Sequence, residues 1–199
     1  MINRELYMEQ ITPFIDKPFV KVITGIRRCG KSVVLRLIRE ELLRRGVSED
    51  YIIYMNFESF EWIDMKEAKA LYAHIREATK APGKYYILLD EIQEVTDWEK
   101  AVNAFLVDLD VDIYVTGSNS RLLSSEFSTY LAGRYVAFHI MTLSFKEYLL
   151  FHNLSLTISA SDRKAEFLKY LRMGGFPAIH TANYDYNAIY KIVYDIYSS

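Results

Sequence analysis

Up to about residue 143, short apolar runs rich in β-branched and aromatic residues alternate with longer stretches whose apolar positions recur every three to four residues. Side chains repeat with period 2 on a pleated strand and 3.6 on a helix, so the two kinds of stretch predict strands and amphipathic helices in turn. The runs predict strands over 19–24, 51–57, 85–90, 111–116 and 135–141. Helices are predicted between them over 31–45, 66–79, 97–109 and 121–131. Alternation of this kind predicts an α/β fold, a parallel sheet covered by helices, because parallel neighbours need a long crossover.

Several element ends carry readable signals. Gly46 is placed to close the first long helix in a left-handed cap, and Thr96 with Glu99 reads as a capping box opening the third. A second box, Ser144 with Glu147, opens a helix with Leu143 and Tyr148 at the positions of a hydrophobic staple. From Phe145 onward only helices are predicted, over 145–153, 162–173 and 184–197, so the chain divides into a core, 1–143, and a helical, lid-like subdomain, 144–199. Ile189, Val193, Ile196 and Tyr197 still run at helical spacing at the end, without a capping glycine. The expectation is an N-terminal part of a longer protein, with a C-terminal domain missing from this chain.

Composition narrows the function classes. A net charge of −2 disfavours a surface that grips nucleic acid by counterion release, although a local patch stays open. Arg36, Arg39, Arg44 and Arg45 form the best candidate patch, but Glu40 and Glu41 stand among them at ion-pairing distance on a helix. One cysteine, Cys29, excludes an internal disulfide and any multi-cysteine metal site. His74, His139, His152 and His180 lack ligand spacing. With no apolar run of about 20 residues and no signal-like start, a cytoplasmic protein without a membrane partner is expected.

The chemistry begins where the first strand meets the first long helix. Gly25-Ile26-Arg27-Arg28-Cys29-Gly30-Lys31-Ser32 satisfies G-x-x-x-x-G-K-[ST], the P-loop, in the strand-to-helix context that the motif requires. Glycine lets the backbone turn its N–H groups toward phosphates, and the helix that continues through Val33 adds its positive N-terminal end. Lys31 is expected to meet the β- and γ-phosphates and the Ser32 hydroxyl to ligate Mg2+. Arg27 and Arg28 are adjuncts within the loop. Cys29 reads as filling a variable position.

The run Tyr85-Tyr86-Ile87-Leu88-Leu89-Asp90-Glu91 suits a central strand buried on both faces that delivers two carboxylates to the C-terminal edge of the sheet. Asp90 is the expected magnesium partner, through water, and Glu91 the group that polarises attacking water. The following strand runs into Gly117-Ser118-Asn119. Ser118 or Asn119 could hold that water or sense the γ-phosphate, and a turn with a helix N-cap explains the same residues equally well.

Taken in order, Gly25 to Ser32, Leu88 to Glu91 with Ile92, Gln93 and Trp98, and Thr116 to Asn119 resemble the AAA-type P-loop ATPases. More narrowly, they are similar to the AAA_14 group, usually joined to a C-terminal DUF4143 domain. The resemblance implies a three-layer sandwich with a mostly parallel five-stranded sheet in the order 5-1-4-3-2, and places Ser118 and Asn119 at the sensor 1 position. It makes Arg134, after Leu131-Ala132-Gly133, a candidate finger on a neighbouring subunit's γ-phosphate and hence a route to self-association; a helix-terminal cation is the alternative. Gly175-Phe176-Pro177 resembles the GxP element of the related STAND ATPases, with Pro177 near the adenine, and a plain interhelical turn is again the alternative. Asn3-Arg4-Glu5 resembles their GRE element but has Asn3 for glycine. The leading expectation is an ATP-hydrolysing, magnesium-dependent switch or motor. A nucleotide-gated DNA- or protein-binding module and a P-loop small-molecule kinase are the alternatives, and the lack of an arginine-rich lid counts against the kinase.

Overall fold

The structure, a computed structural model, describes residues 3–118, 131–182 and 184–198. Strands β1 (Val20–Thr24), β2 (Ile52–Asn56), β3 (Tyr85–Asp90), β4 (Val111–Gly117) and β5 (Tyr135–His139) form one sheet in the order β2-β3-β4-β1-β5, every neighbouring pair parallel. This is the expected 5-1-4-3-2 order read from the other edge.

Period-2 burial sorts the side chains of the central strands onto two faces. Val20, Val22, Ile87, Leu89, Ile113 and Val115 face one core, built with Leu71 and Ile75 of α3 (Ala68–Ala78) and Trp98, Val102 and Phe105 of α4 (Trp98–Asp108). The intervening residues, among them Ile23, Leu88 and Tyr114, are fully buried on the other face, where α1 (Glu5–Ile11) and α2 (Lys31–Arg44) pack. Burial on both faces explains why β3 reads as an unbroken apolar run rather than an alternation.

Polar side chains meet under the N-terminal edge of the sheet. Lys21 of β1 pairs with Asp112 of β4 and donates to the Lys17 carbonyl, and both members of the pair are almost wholly buried. The other Asp112 oxygen accepts from the Tyr114 hydroxyl at 2.8 Å and the Asp16 N–H at 2.9 Å, and Tyr86 donates to Asp16. Desolvation holds the Lys21 ammonium below its ordinary pKa, with Asp112 opposing that shift.

The ends match the sequence signals in two of three places. Gly46, at φ 89°, closes α2 in a Schellman arrangement: its N–H reaches Leu43 O and the Val47 N–H reaches Leu42 O. Ser144 and Glu147 form both bonds of the capping box at the start of α5 (Phe145–Phe151). The box at Thr96 and Glu99 does not form. Thr96 is held extended in a parallel bridge to Glu67, exchanging backbone bonds with Lys66 and Ala68. The N-cap therefore falls on Asp97, with Glu99 at N2 instead of N3. The predicted helix 121–131 lies outside the described residues, apart from Leu131.

Contacts divide the chain into two compact units, Glu5–Gly25 with Lys31–His139, and Met1–Arg4 with Ile26–Gly30 and Ile140–Ser199. The second unit carries α5, α6 (Ala160–Met173) and α7 (Tyr186–Ser198). Phe176, Ile179, Ile189 and Ile196 form its apolar centre, beside an aromatic cluster of Phe145, Tyr148, Phe167 and Tyr170. Gly175 is tightly seated there: its carbonyl accepts from the Leu143 N–H at 2.7 Å, and an added Cβ would lie 2.4 Å from Leu143 O.

Candidate active site

The P-loop leaves β1 through backbone that favours glycine. Gly25 has φ 152° and Gly30 φ 105°, values that a side chain at either position would resist. Arg28 takes a left-handed φ of 64° without being glycine. Ile26, Arg27 and Arg28 are exposed, whereas Cys29 is buried. Lys31 opens α2 almost fully buried, its ammonium 3.4 Å from Gly25 O and 3.4 Å from Glu91 Oε1. Ser32 and Val33 follow, half-buried, on the first turn of α2.

At the end of β3 the two carboxylates are held differently. Asp90 is fully buried and accepts two hydroxyl protons, from Thr116 at 2.5 Å on Oδ1 and from Tyr54 at 3.0 Å on Oδ2. The same Thr116 oxygen accepts the Glu91 N–H at 2.9 Å, so one side chain of β4 joins the two acidic residues. Burial, with the Asp90 charge next to it, pushes the Tyr54 phenol up to about 12. Tyr54 therefore stays a hydrogen-bond donor throughout the neutral range.

Glu91 has a left-handed backbone, φ 54° and ψ 50°, directly after the strand. Such a pose costs a non-glycine residue about 1 to 3 kcal/mol and persists only where its surroundings enforce it. Here Thr116 holds the Glu91 N–H, Gln93 donates to Glu91 Oε2 at 2.7 Å, and Lys31 faces Oε1. The arrangement aims a carboxylate at the lysine of the loop across the C-terminal edge of the sheet. Gln93 Oε1 is buried without a hydrogen-bond partner.

Lys31, Asp90 and Glu91 are thus gathered in one place. Ser118 follows β4 half-buried, and Asn119 lies outside the described residues. Arg134 is exposed; its Nη1 donates to Asn103 Oδ1 of α4 at 3.0 Å, and its carbonyl receives the Val20 N–H at the start of β1. Pro177 begins a short 3-10 helix of the second unit, half-buried after the buried Phe176. Sequence reasoning missed Tyr54, and took Thr116 only as the start of the Thr116 to Asn119 motif, without a role of its own. The register shows what links them: Asn56 of β2 pairs with Asp90, which brings Tyr54 two residues earlier onto the same face, and β4 lies beside β3. That signal becomes legible only once the strand order is fixed.

A parallel sheet in this order, a P-loop after β1 and an Asp-Glu pair at the end of β3 define the AAA-type P-loop ATPase class. The AAA_14 family, described as an AAA domain, matches residues 17–149, and the chain belongs to that family. It is similar to an uncharacterized protein of Haemophilus influenzae, 44% identical over 186 residues, covering 92% of this chain and 46% of the relative. An uncharacterized protein of Methanocaldococcus jannaschii is 36% identical over 184 residues, covering 90% of this chain and 39% of the relative. The chain thus spans less than half the length of these curated relatives. In fold it is similar to AMPPCP-bound DnaA from Aquifex aeolicus, with TM-score 0.59 and 15% identity, covering 90% of this chain and 60% of that one. A substituted form of RuvB from Thermotoga maritima gives TM-score 0.56 at 16% identity, covering 90% of this chain and 59% of that one. Among the described residues no helix is long and apolar enough to cross a membrane.

Proposed function

We propose that the chain binds ATP with magnesium and hydrolyses it, as a nucleotide-driven switch whose state is read by the helical part, residues 144–199. The observation that carries this reading is the pairing of Lys31 with Glu91 at 3.4 Å, in which Glu91 keeps a strained backbone beside a fully buried Asp90. A carboxylate oriented by Gln93 and Thr116 suits a group that accepts a proton from water attacking the γ-phosphate. The Lys31 ammonium, nearly stripped of solvent, suits a fixed charge against the β- and γ-phosphates.

The donor set also fits magnesium. It consists of hard oxygens, the Ser32 hydroxyl and the Asp90 carboxylate, the kind that suits a cation retaining several of its waters. Because each Asp90 oxygen already accepts a hydroxyl proton, Asp90 would hold the ion through water. Bound there, magnesium would neutralise charge on the phosphates. Ser118 and Asn119 are assigned to sensing the γ-phosphate, Pro177 to the adenine, and the exposed Arg134 to the γ-phosphate of a second subunit.

Glu91→Gln decides the central assignment. ATP affinity should stay within a few-fold of the natural chain while turnover falls by roughly 10² to 10⁴, the range for a lost general base. Turnover left unchanged removes Glu91 from the chemistry. ATP-dependent self-association that disappears in Arg134→Ala would support the role of that residue, and assembly indifferent to the substitution would refute it.

A further inference from the structure

Arg4 is 1% exposed, heads the largest fully buried side chains among the described residues, and carries none of the roles assigned above. Its guanidinium reaches three points on two other segments of the second unit, Ile26–Gly30 and the stretch that begins at Ile140. Nε donates to Glu147 Oε1 at 2.6 Å, Nη1 to the Cys29 carbonyl at 3.0 Å and Nη2 to the Met141 carbonyl at 2.8 Å. The other Glu147 oxygen accepts the Ser144 N–H at 2.8 Å in the capping box of α5. A single arginine thus connects the interior of the P-loop to a helix cap more than a hundred residues away. The packing is close, since a Cβ on Gly30 would lie 3.2 Å from Arg4 Nη1.

Burying a guanidinium and a carboxylate costs desolvation, and an apolar filler of similar volume is often as stable. What the arginine provides instead is a rigid planar fork that fixes the directions of its acceptors. The peptide joining Cys29 and Gly30 is trans, so its C=O and N–H point to opposite sides. Fastening the Cys29 carbonyl to Arg4 therefore turns the Gly30 N–H away from Arg4. An inward carbonyl and an outward N–H are what a loop that receives phosphate on its N–H groups requires.

We propose that Arg4 is a positioning residue for the phosphate loop, setting the Cys29–Gly30 peptide by bonding it to the Glu147-capped start of α5. The role rests on the reading of the loop as a phosphate site. Through this arginine the loop and the first turn of α5 form one hydrogen-bonded body, so a change at either end is felt at the other. The Arg4 side chain acts from beneath the loop and does not touch nucleotide.

Cys29, the sole cysteine and fully buried, gives a local readout. Arg4→Lys keeps the charge but not the fork. Arg4→Met with Glu147→Gln leaves no unpaired buried charge and serves where the single variant fails to fold. The Cys29 thiol would be labelled with Ellman's reagent across low urea concentrations, and ADP binding measured by calorimetry, on chains whose circular dichroism matches the natural one. In either variant labelling should accelerate about tenfold or more, with no dependence on urea, because only the loop opens. ADP should bind about tenfold or more weakly. Labelling unchanged from the natural chain, labelling that rises with urea alongside global unfolding, or ADP affinity within twofold would each overturn the proposal. Should the natural chain itself bind no ADP, the nucleotide reading fails and this role with it, so the two failures differ in which chain lacks binding.

Discussion

Replacing Thr116 by valine tests whether one hydroxyl holds the acidic pair in place. Valine keeps the shape and the β-branch but removes the donor to Asp90 Oδ1 and the acceptor for the Glu91 N–H, bonds of 2.5 and 2.9 Å. Each orphaned group costs about 1 to 3 kcal/mol, and the lost acceptor also frees a left-handed backbone held against its preference. The combined loss of unfolding free energy should be about 2 to 6 kcal/mol, measured by urea titration. Glu91 then departs from its pose toward Lys31, and displacement on the order of 1 Å is enough to slow ATP turnover by roughly tenfold to a hundredfold. Thr116→Ser retains the hydroxyl, and loses only a buried methyl worth about 1 kcal/mol, so turnover should stay near that of the natural chain. If valine costs less than about 0.5 kcal/mol, within ordinary surface-substitution scatter, and leaves turnover as fast as serine does, Thr116 does not organise the site.

Two further outcomes follow from buried polar groups away from the acidic pair. Lys21→Met leaves Asp112 charged and unpaired beneath the sheet and should cost about 3 to 5 kcal/mol in chemical denaturation. Adding Asp112→Leu should recover much of that loss, and a double variant no more stable than the single one would contradict the pairing argument. In the second unit, His180 Nε2 must donate to the Gly174 carbonyl, 2.9 Å away, leaving Nδ1 to accept from His152 Nε2 at 3.2 Å. Burial holds His180 below the ordinary histidine range, with its bond to Gly174 opposing and the nearby His152 adding to the shift. The folded state then binds fewer protons than the unfolded chain, so stability is fully present above about pH 6.5 and is lost as pH falls below it. The decline in unfolding free energy from pH 7 to 5 should flatten in His180→Gln, and an equally steep decline there would assign it to other groups.

The parts of the fold set by periodicity were legible in advance. All five strands and the helices that cross between the described strands lie where apolar spacing put them, with ends that coincide or shift by at most two residues. Long-range choices were not. Thr96 carries a good capping sequence, yet its backbone is recruited by Lys66 and Ala68, partners about 30 residues away that no local motif announces. The seven-residue α1 is too short to show a helical period, and its place is fixed by burial of Tyr7 and Ile11. In the site, Lys31, Asp90 and Glu91 are marked by motifs, whereas Tyr54 and Thr116 are ordinary strand residues until the sheet sets them beside Asp90.

Lys21 and Asp112 also act on which sheet the chain can build. A slip of β1 against β4 by one residue would invert the faces of every side chain on the strand. Lys21 would then enter the apolar core lined by Ile87, Ile113 and Phe105, and Asp112 would lose its cation. Two valines exchanged across the sheet would cost little, but a lysine moved there has nowhere to place its charge. The ion pair therefore excludes misregistered sheets far more strongly than it stabilises the native one, and fixes the height of β1, and with it of Gly25, relative to the carboxylates of β3.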